Sequence, residues 1–152
     1  LSGLAGTGSI DSLTTSVSDS IATPTGLAGT GTLGSLTVTG ASSLTSYTVT
    51  VASYSGANYF YIDGSRAATL NLSEGSAYRF DQSDNSNSNH PLRISITSDG
   101  THGGGSAYTT GVTTSGTPGS SGAYTQITVA SGAPTLYYYC TNHSGMGGQI
   151  NT

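Results

Sequence analysis

The chain of 152 residues is poor in charge: 7% of its residues are charged, and its formal net charge is −4. Because it contains three arginines and no lysine, it lacks the basic patch that is needed to bind nucleic acid or an anionic membrane surface. Ser, Thr and Gly make up about half of the residues, which is typical of β structure with hydroxyl-rich surfaces, as in extracellular fibres and virion appendages.

Residues 1–45 contain no aromatic residue and carry an internal repeat, since the hexapeptide Gly-Leu-Ala-Gly-Thr-Gly at residues 3–8 recurs at residues 26–31. Isolated aliphatic residues between small polar ones form no globular core, but they stack in a β-solenoid or between chains that wind together. The repeat therefore predicts a stalk that assembles with other copies of the chain, and a flexible linker is the alternative. We expect this stalk at 1–45 and a second domain at 46–152.

The second region has runs of aromatic and β-branched residues punctuated by glycine, which predict short strands. A turn at Asp63-Gly64 is predicted to join two of them in a hairpin. Seven strands in about 100 residues indicate an all-β fold, a Greek-key β-sandwich. The predicted strands are Tyr47–Ala52, Tyr59–Ile62, Ala68–Leu72, Ala77–Asp81, Leu92–Thr97, Tyr124–Val129 and Leu136–Cys140.

Two polar stretches are predicted as loops, at residues 82–89 and 99–122. The first leads into His90. The second carries His102 and Tyr108, and a loop of that length usually has a function or is disordered. We interpret His102 as an ordinary loop histidine rather than as a metal ligand.

The most specific motif is Cys140-x2-His143-x2-Met146, which directly follows the aromatic run at residues 137–139. It contains the one cysteine and the one methionine of the chain. A thiolate, an imidazole and a thioether at the end of a strand are the ligand types of a mononuclear copper site, and His90 is well placed to supply the fourth ligand. If the cysteine binds no metal, it is predicted to pair between chains or to remain a free thiol, with Met146 as a packing residue.

The segment from about Tyr47 to Gly148 resembles the cupredoxins, the blue-copper family, in a Gly-x-x-Tyr-x-Phe strand at residues 75–80, in Asn89-His90-Pro91, and in the aromatic strand that ends in Cys140-x2-His143. The resemblance implies a cupredoxin-like sandwich with His90, Cys140 and His143 as equatorial copper ligands. It implies Met146 as the axial ligand.

A second resemblance covers the whole chain. The Gly/Ser/Thr-rich repeat, the Leu-Thr-Val-Thr-Gly phrase at residues 36–40 and the ending at residues 140–148 are similar to structural proteins of marine bacteriophages. This similarity implies a structural subunit of an extracellular or virion fibre, which carries the cupredoxin-like domain and forms a homo-oligomer, either a trimer or a head-to-tail filament. Copper would then be a structural ion or absent.

Two other functions remain open: a blue-copper electron-transfer protein, and a module that binds glycans or a host surface through the 99–122 loop and Tyr108. We expect no enzyme activity, since Glu74 is the one glutamate and no pair of carboxylates is indicated. We also expect no nucleic-acid partner and no membrane insertion, as no apolar run approaches the length of a transmembrane helix. Asn71 and Asn142 lie in formal acceptor sequons for N-glycosylation.

Overall fold

The computed structural model describes residues 43–152. These residues contain ten strands and two short 3₁₀ helices. The stalk predicted at 1–45 falls almost wholly outside these residues and stays a prediction. The 3₁₀ helices are Asn85–Asn87 and Gly100–Gly103. In chain order the strands are β1 (Leu44–Tyr54), β2 (Ala57–Ile62), β3 (Ser65–Arg66), β4 (Leu70–Asn71), β5 (Ala77–Asp81), β6 (Leu92–Ser95), β7 (Val112–Ser115), β8 (Tyr124–Thr128), β9 (Leu136–Cys140) and β10 (Gly148–Asn151).

The strands form an all-β sandwich of two mixed sheets, as the sequence predicts. The larger sheet has the order β3-β2-β1-β5-β8-β7, and the smaller sheet has the order β4-β10-β9-β6. Two pairs are parallel, β1 with β5 and β10 with β4, and the others are antiparallel. No helix among the described residues has the length and apolar character of a membrane span.

Alternating side chains from both sheets fill the space between them. Phe60 of β2 and Phe80 of β5 meet Tyr138 of β9 at ring-centroid distances of 6.4 and 6.2 Å. All three rings are buried, and the Tyr138 hydroxyl donates a hydrogen bond of 2.8 Å to the carbonyl of Ala68. Each buried aromatic side chain of this kind stabilises the fold by about 1.5–3 kcal/mol relative to an exposed one.

Two predicted strands have the observed bounds, Ala77–Asp81 and Leu136–Cys140, and four others overlap strands whose ends differ. The strand predicted at Ala68–Leu72 shrinks to Leu70–Asn71. Three strands were not predicted: Ser65–Arg66, Val112–Ser115 and Gly148–Asn151. Strand β7 shows that the prediction of a loop over 99–122 is wrong in part, because the Thr-rich segment Val112–Ser115 pairs with β8.

Candidate metal centre

The register of the smaller sheet brings His90 next to Cys140. Strands β6 and β9 are antiparallel, and Leu92 at the start of β6 pairs with Cys140 at the end of β9. The backbone N–H of Thr141 donates a hydrogen bond of 3.1 Å to the carbonyl of Pro91, which extends the pairing beyond the strands. His90 thus lies two residues before β6 at the same end of the sheet as the cysteine.

Three of the four predicted ligands meet at this end. The Cys140 Sγ lies 3.9 Å from Nδ1 of His90 and 3.7 Å from Nδ1 of His143. The two imidazole rings have centroids 4.6 Å apart, and one ligand atom from each of the three residues lies within 4.8 Å of the others. Two ligands bonded to one ion at about 2.0 Å (nitrogen) and about 2.3 Å (sulfur), about 120° apart, are separated by about 3.7 Å. The two distances from sulfur to nitrogen therefore match those of a trigonal metal site.

Burial differs among the three side chains: Cys140 is fully buried, His90 is half-buried and His143 is exposed. Burial raises the pKa of the Cys140 thiol, although the backbone amides of Asn142 and His143 act in the opposite direction. Burial, followed by the charge of His143, lowers the pKa of His90, which favours the neutral imidazole that a metal needs. A thiol that loses its proton only with difficulty is ionised most readily by a bound cation.

Met146 lies in the core at the end of the loop that joins β9 to β10. Its side chain is 1% exposed and belongs to the same buried cluster as Cys140. Its carbonyl accepts a hydrogen bond of 2.9 Å from the backbone N–H of Phe60, which fixes the loop to the larger sheet. A Cβ on Gly147 would overlap the carbonyl oxygen of Tyr138, so the chain after Met146 passes too close to β9 for any other residue.

Two polar contacts hold the ligand loops together. The side-chain amide of Asn142 donates to the backbone carbonyl and to the side-chain oxygen of Asn89, at 3.0 and 2.8 Å, so the residues next to the two histidines are joined. Asn89 has a φ of 64°, in the left-handed region that asparagine tolerates. Asp99 Oδ1 accepts a hydrogen bond of 2.9 Å from the backbone N–H of Gly145.

A buried glutamine, which the sequence analysis missed, fixes the segment around His90. Gln82 is 1% exposed; its Nε2 donates to the carbonyl of His90 at 2.8 Å, and its Oε1 accepts from the N–H of Leu92 at 3.0 Å. Asn87 is also buried and donates to the carbonyl of Val49 in β1 at 2.7 Å. Both lie in the polar segment that we interpreted as a surface loop. No sequence signal distinguishes such a buried amide from an exposed one.

His102 lies closer to the centre than the sequence implied. It is exposed on the second 3₁₀ helix, and its Nε2 lies 3.1 Å from the carbonyl oxygen of Cys140. This contact requires the tautomer that carries its proton on Nε2. His102 thus contacts the backbone of a ligand and is not a member of the three-residue group.

Two of the remaining predicted sites, Tyr108 and Asn71, are not part of the three-residue group. The third, Asn142, uses its side-chain amide to hold the loop before His90. Tyr108 is half-buried against the core, and its N–H donates to the carbonyl of Ile94. Asn71 is exposed on β4, where its side-chain oxygen accepts from Asn151. A glycan on Asn142 would use the amide nitrogen that now holds Asn89.

No protein-family model matches the sequence, and no curated protein matches it significantly. The candidate metal centre is therefore defined by its geometry and by the chemistry of its side chains.

Proposed function

We propose that residues 46–152 form a cupredoxin-like domain that binds one copper ion through His90, Cys140 and His143, with Met146 as the fourth ligand. The observation that carries this proposal is the convergence of two imidazole nitrogens and one thiol sulfur within 4.8 Å at one end of a sheet. A thiolate suits both zinc and copper, but a thioether ligand favours copper, because zinc in proteins is bound by cysteine, histidine and carboxylate side chains.

When bound, copper would supply one-electron chemistry at the domain surface. The protein's own contributions are separate from it. The sheet register and Gln82 position His90, the β9–β10 loop positions His143, and the core around Cys140 excludes water from the sulfur. The exposed edge of His143 is the side from which a redox partner would approach, which supports electron transfer as one use of the site.

Copper titration of the full chain, made metal-free first, tests the proposal. We expect one Cu(II) per chain to survive dialysis and to give an intense visible thiolate-to-copper band. Cys140→Ser should abolish the band, and Ser144→Ala, in the same loop, should keep it. Retention of no copper, or of copper without the band in the unmodified chain, would overturn the proposal.

Met146→Leu addresses the fourth ligand separately. Leucine has nearly the same volume as methionine, so the substitution should cost less than about 1.5 kcal/mol of stability. The domain should therefore fold and still bind copper. We expect the visible band to shift and the reduction potential to change, since the axial ligand tunes both. An unchanged spectrum and potential would remove Met146 from the ligand set.

We propose that the setting of this domain is a structural subunit of an extracellular or virion appendage, assembled through residues 1–45. The repeat at residues 3–8 and 26–31 supports this. Sedimentation of the full chain should give a trimer or a larger assembly, and a monomer at the highest attainable concentration would contradict it.

If copper-loaded chains also cycle reversibly between reduced and oxidised forms with ascorbate and ferricyanide, electron transfer becomes the preferred function; copper that cannot be cycled would indicate a structural ion.

A further inference from the structure

A polar cleft lies on the outer face of the smaller sheet, beside the ligand loop and separate from the three metal ligands. Its volume is about 330 Å³, near the lower limit for small-molecule sites, and it is open to solvent. Tyr137 and Gln149, which are paired across β9 and β10, form its floor together with Thr69. Ser98 and Asp99, in the segment that follows β6, also line it.

The cleft presents hydrogen-bonding groups that the protein does not use. Within residues 43–152, the hydroxyls of Thr69, Ser98 and Tyr137 have no hydrogen-bond partner, and neither does the Oε1 of Gln149. The Nε2 of Gln149 is occupied, since it donates to Asn151 at 2.7 Å. Asp99 uses one carboxylate oxygen on Gly145, which fixes its orientation, and its second oxygen is free among the described residues.

The chemistry of the lining restricts the ligand. Asp99 is the one charged side chain among the lining residues, so an anionic ligand is repelled and a hydroxyl donor is bound by a charge-assisted hydrogen bond. The half-buried ring of Tyr137 offers an apolar surface beside these polar groups. A compact ligand with several hydroxyls and one apolar face satisfies both features.

We propose that this cleft binds a single neutral sugar ring. Sugar hydroxyls would donate to Asp99 and Gln149 and exchange hydrogen bonds with Thr69 and Ser98, while the ring packs against Tyr137. The site uses none of the three metal ligands, although it shares Asp99 and Gly145 with the contacts that hold the ligand loop. Of the 99–122 loop expected from sequence to bind glycans, Asp99 lines this cleft, whereas Tyr108 lies in a separate, more apolar cleft with Ile96.

The test is a titration of the metal-free, full-length chain, labelled with ¹⁵N, with D-glucose, D-galactose, D-mannose, N-acetylglucosamine and D-glucuronate. We expect at least one neutral sugar to shift the amide resonances of Gly145, Gly147 and Gln149 with a saturable curve of millimolar affinity. D-glucuronate should give no shift. If no neutral sugar shifts these amides at its highest soluble concentration, or if the shifts cluster instead at Ile96 and Tyr108, the proposal is wrong.

Two variants separate recognition from damage to the fold. Tyr137→Ala should weaken binding by about tenfold or more, whereas Tyr54→Ala, an exposed tyrosine on the larger sheet, should leave it unchanged. Asp99→Asn keeps an oxygen for Gly145 but removes the charge, so it should weaken binding of the neutral sugar and reduce the discrimination against D-glucuronate. Unchanged affinity in Tyr137→Ala, or unchanged rejection of D-glucuronate in Asp99→Asn, would overturn the assignment.

Discussion

The two sheets of the sandwich contribute differently to the molecule. The larger sheet supplies Val49, Phe60, Phe80 and Ile127 to the core, and none of the three convergent ligands. The smaller sheet has four short strands, and one end of it carries His90, Cys140 and His143. The larger sheet therefore acts as the support, and the convergence of the three side chains depends on the register of two short strands and on one loop.

This difference explains how the proposed site holds an exposed side chain beside two that are more buried. Cys140 and Met146 are fixed from the core side, where the larger sheet packs, while His143 is held through its neighbour Asn142 at the surface. Substitutions in the support should therefore change stability, and substitutions at the sheet end should change metal binding.

The largest expected effects separate these two properties. Phe80→Ala removes a fully buried ring from the larger sheet and should lower the free energy of unfolding by about 3–5 kcal/mol. The fraction that remains folded should bind copper with an unchanged spectrum. Urea unfolding and the visible spectrum measure the two quantities.

His90→Ala is the matched change at the sheet end. It should alter the stability of the metal-free protein by less than about 1 kcal/mol, since the side chain is half-buried. Copper affinity should fall by more than about 100-fold, because loss of an outer-shell partner alone costs up to about 100-fold. If Phe80→Ala also weakens copper binding, or if His90→Ala also lowers the free energy of unfolding by several kcal/mol, the distinction between support and site would be wrong.

The next effect compares two glycines of the same loop. Gly147→Ala places a Cβ against the carbonyl of Tyr138, so the loop must move and the domain should lose about 2–3 kcal/mol. Gly145→Ala meets open space and bears only the cost of its φ of 73°, about 1 kcal/mol. Of the two variants, we expect only Gly147→Ala to reduce copper affinity strongly. Equal losses of stability would mean that the close approach at Gly147 is relieved elsewhere.

Much of the fold was predictable because periodicity marks a strand whose one face is buried. Strand β5 alternates half-buried and buried residues, whereas β9 is an apolar run that is buried at every position except Tyr137, and both were predicted with their observed bounds. Strand β7 is made of Val, Thr, Thr and Ser on the edge of a sheet, and β10 contains one buried aliphatic residue, Ile150. Their existence depends on a neighbouring strand rather than on their own sequence.

The site was predictable to a similar extent and for a related reason. Cys140, His143 and Met146 are close in sequence, so a turn after a strand is enough to suggest a cluster. The contribution of His90 depends on the pairing of β6 with β9, for which the resemblance to cupredoxins was the guide. The supports at Gln82 and Asn142 could not be predicted, because their partners are backbone or side-chain groups that are distant in sequence.

A smaller effect tests one of these unpredicted supports. Gln82→Met conserves volume but leaves the N–H of Leu92 and the carbonyl of His90 buried without partners, at a cost of about 1–2 kcal/mol. Copper affinity should fall by about 10- to 100-fold, as for other outer-shell partners. Gln126→Met, on the outer face of the larger sheet, removes two hydrogen bonds from Arg79 and should cost about 1 kcal/mol, but it should leave copper binding unchanged. If the two variants bind copper equally well, Gln82 has only a structural function.

The smallest effect is a dependence on pH at the 3₁₀ helix before His90. The Asp84 carboxylate accepts hydrogen bonds from the backbone and the hydroxyl of Ser86, and these bonds lower its pKa from the usual 3.8. Ser86 in turn accepts from the N–H of Val51, which ties the helix to β1.

Because the pKa of Asp84 is depressed in the folded state, its contribution to stability is present above pH 3.8 and is lost as the pH falls through the folded value. Asp84→Asn keeps an oxygen acceptor for Ser86 but does not titrate, so the wild type should be the more stable of the two at neutral pH. Urea midpoints should converge as the pH falls below 3.8. A difference that stays constant from neutral to acidic pH would show that the charge of Asp84 contributes nothing and that its hydrogen bonds alone stabilise the helix.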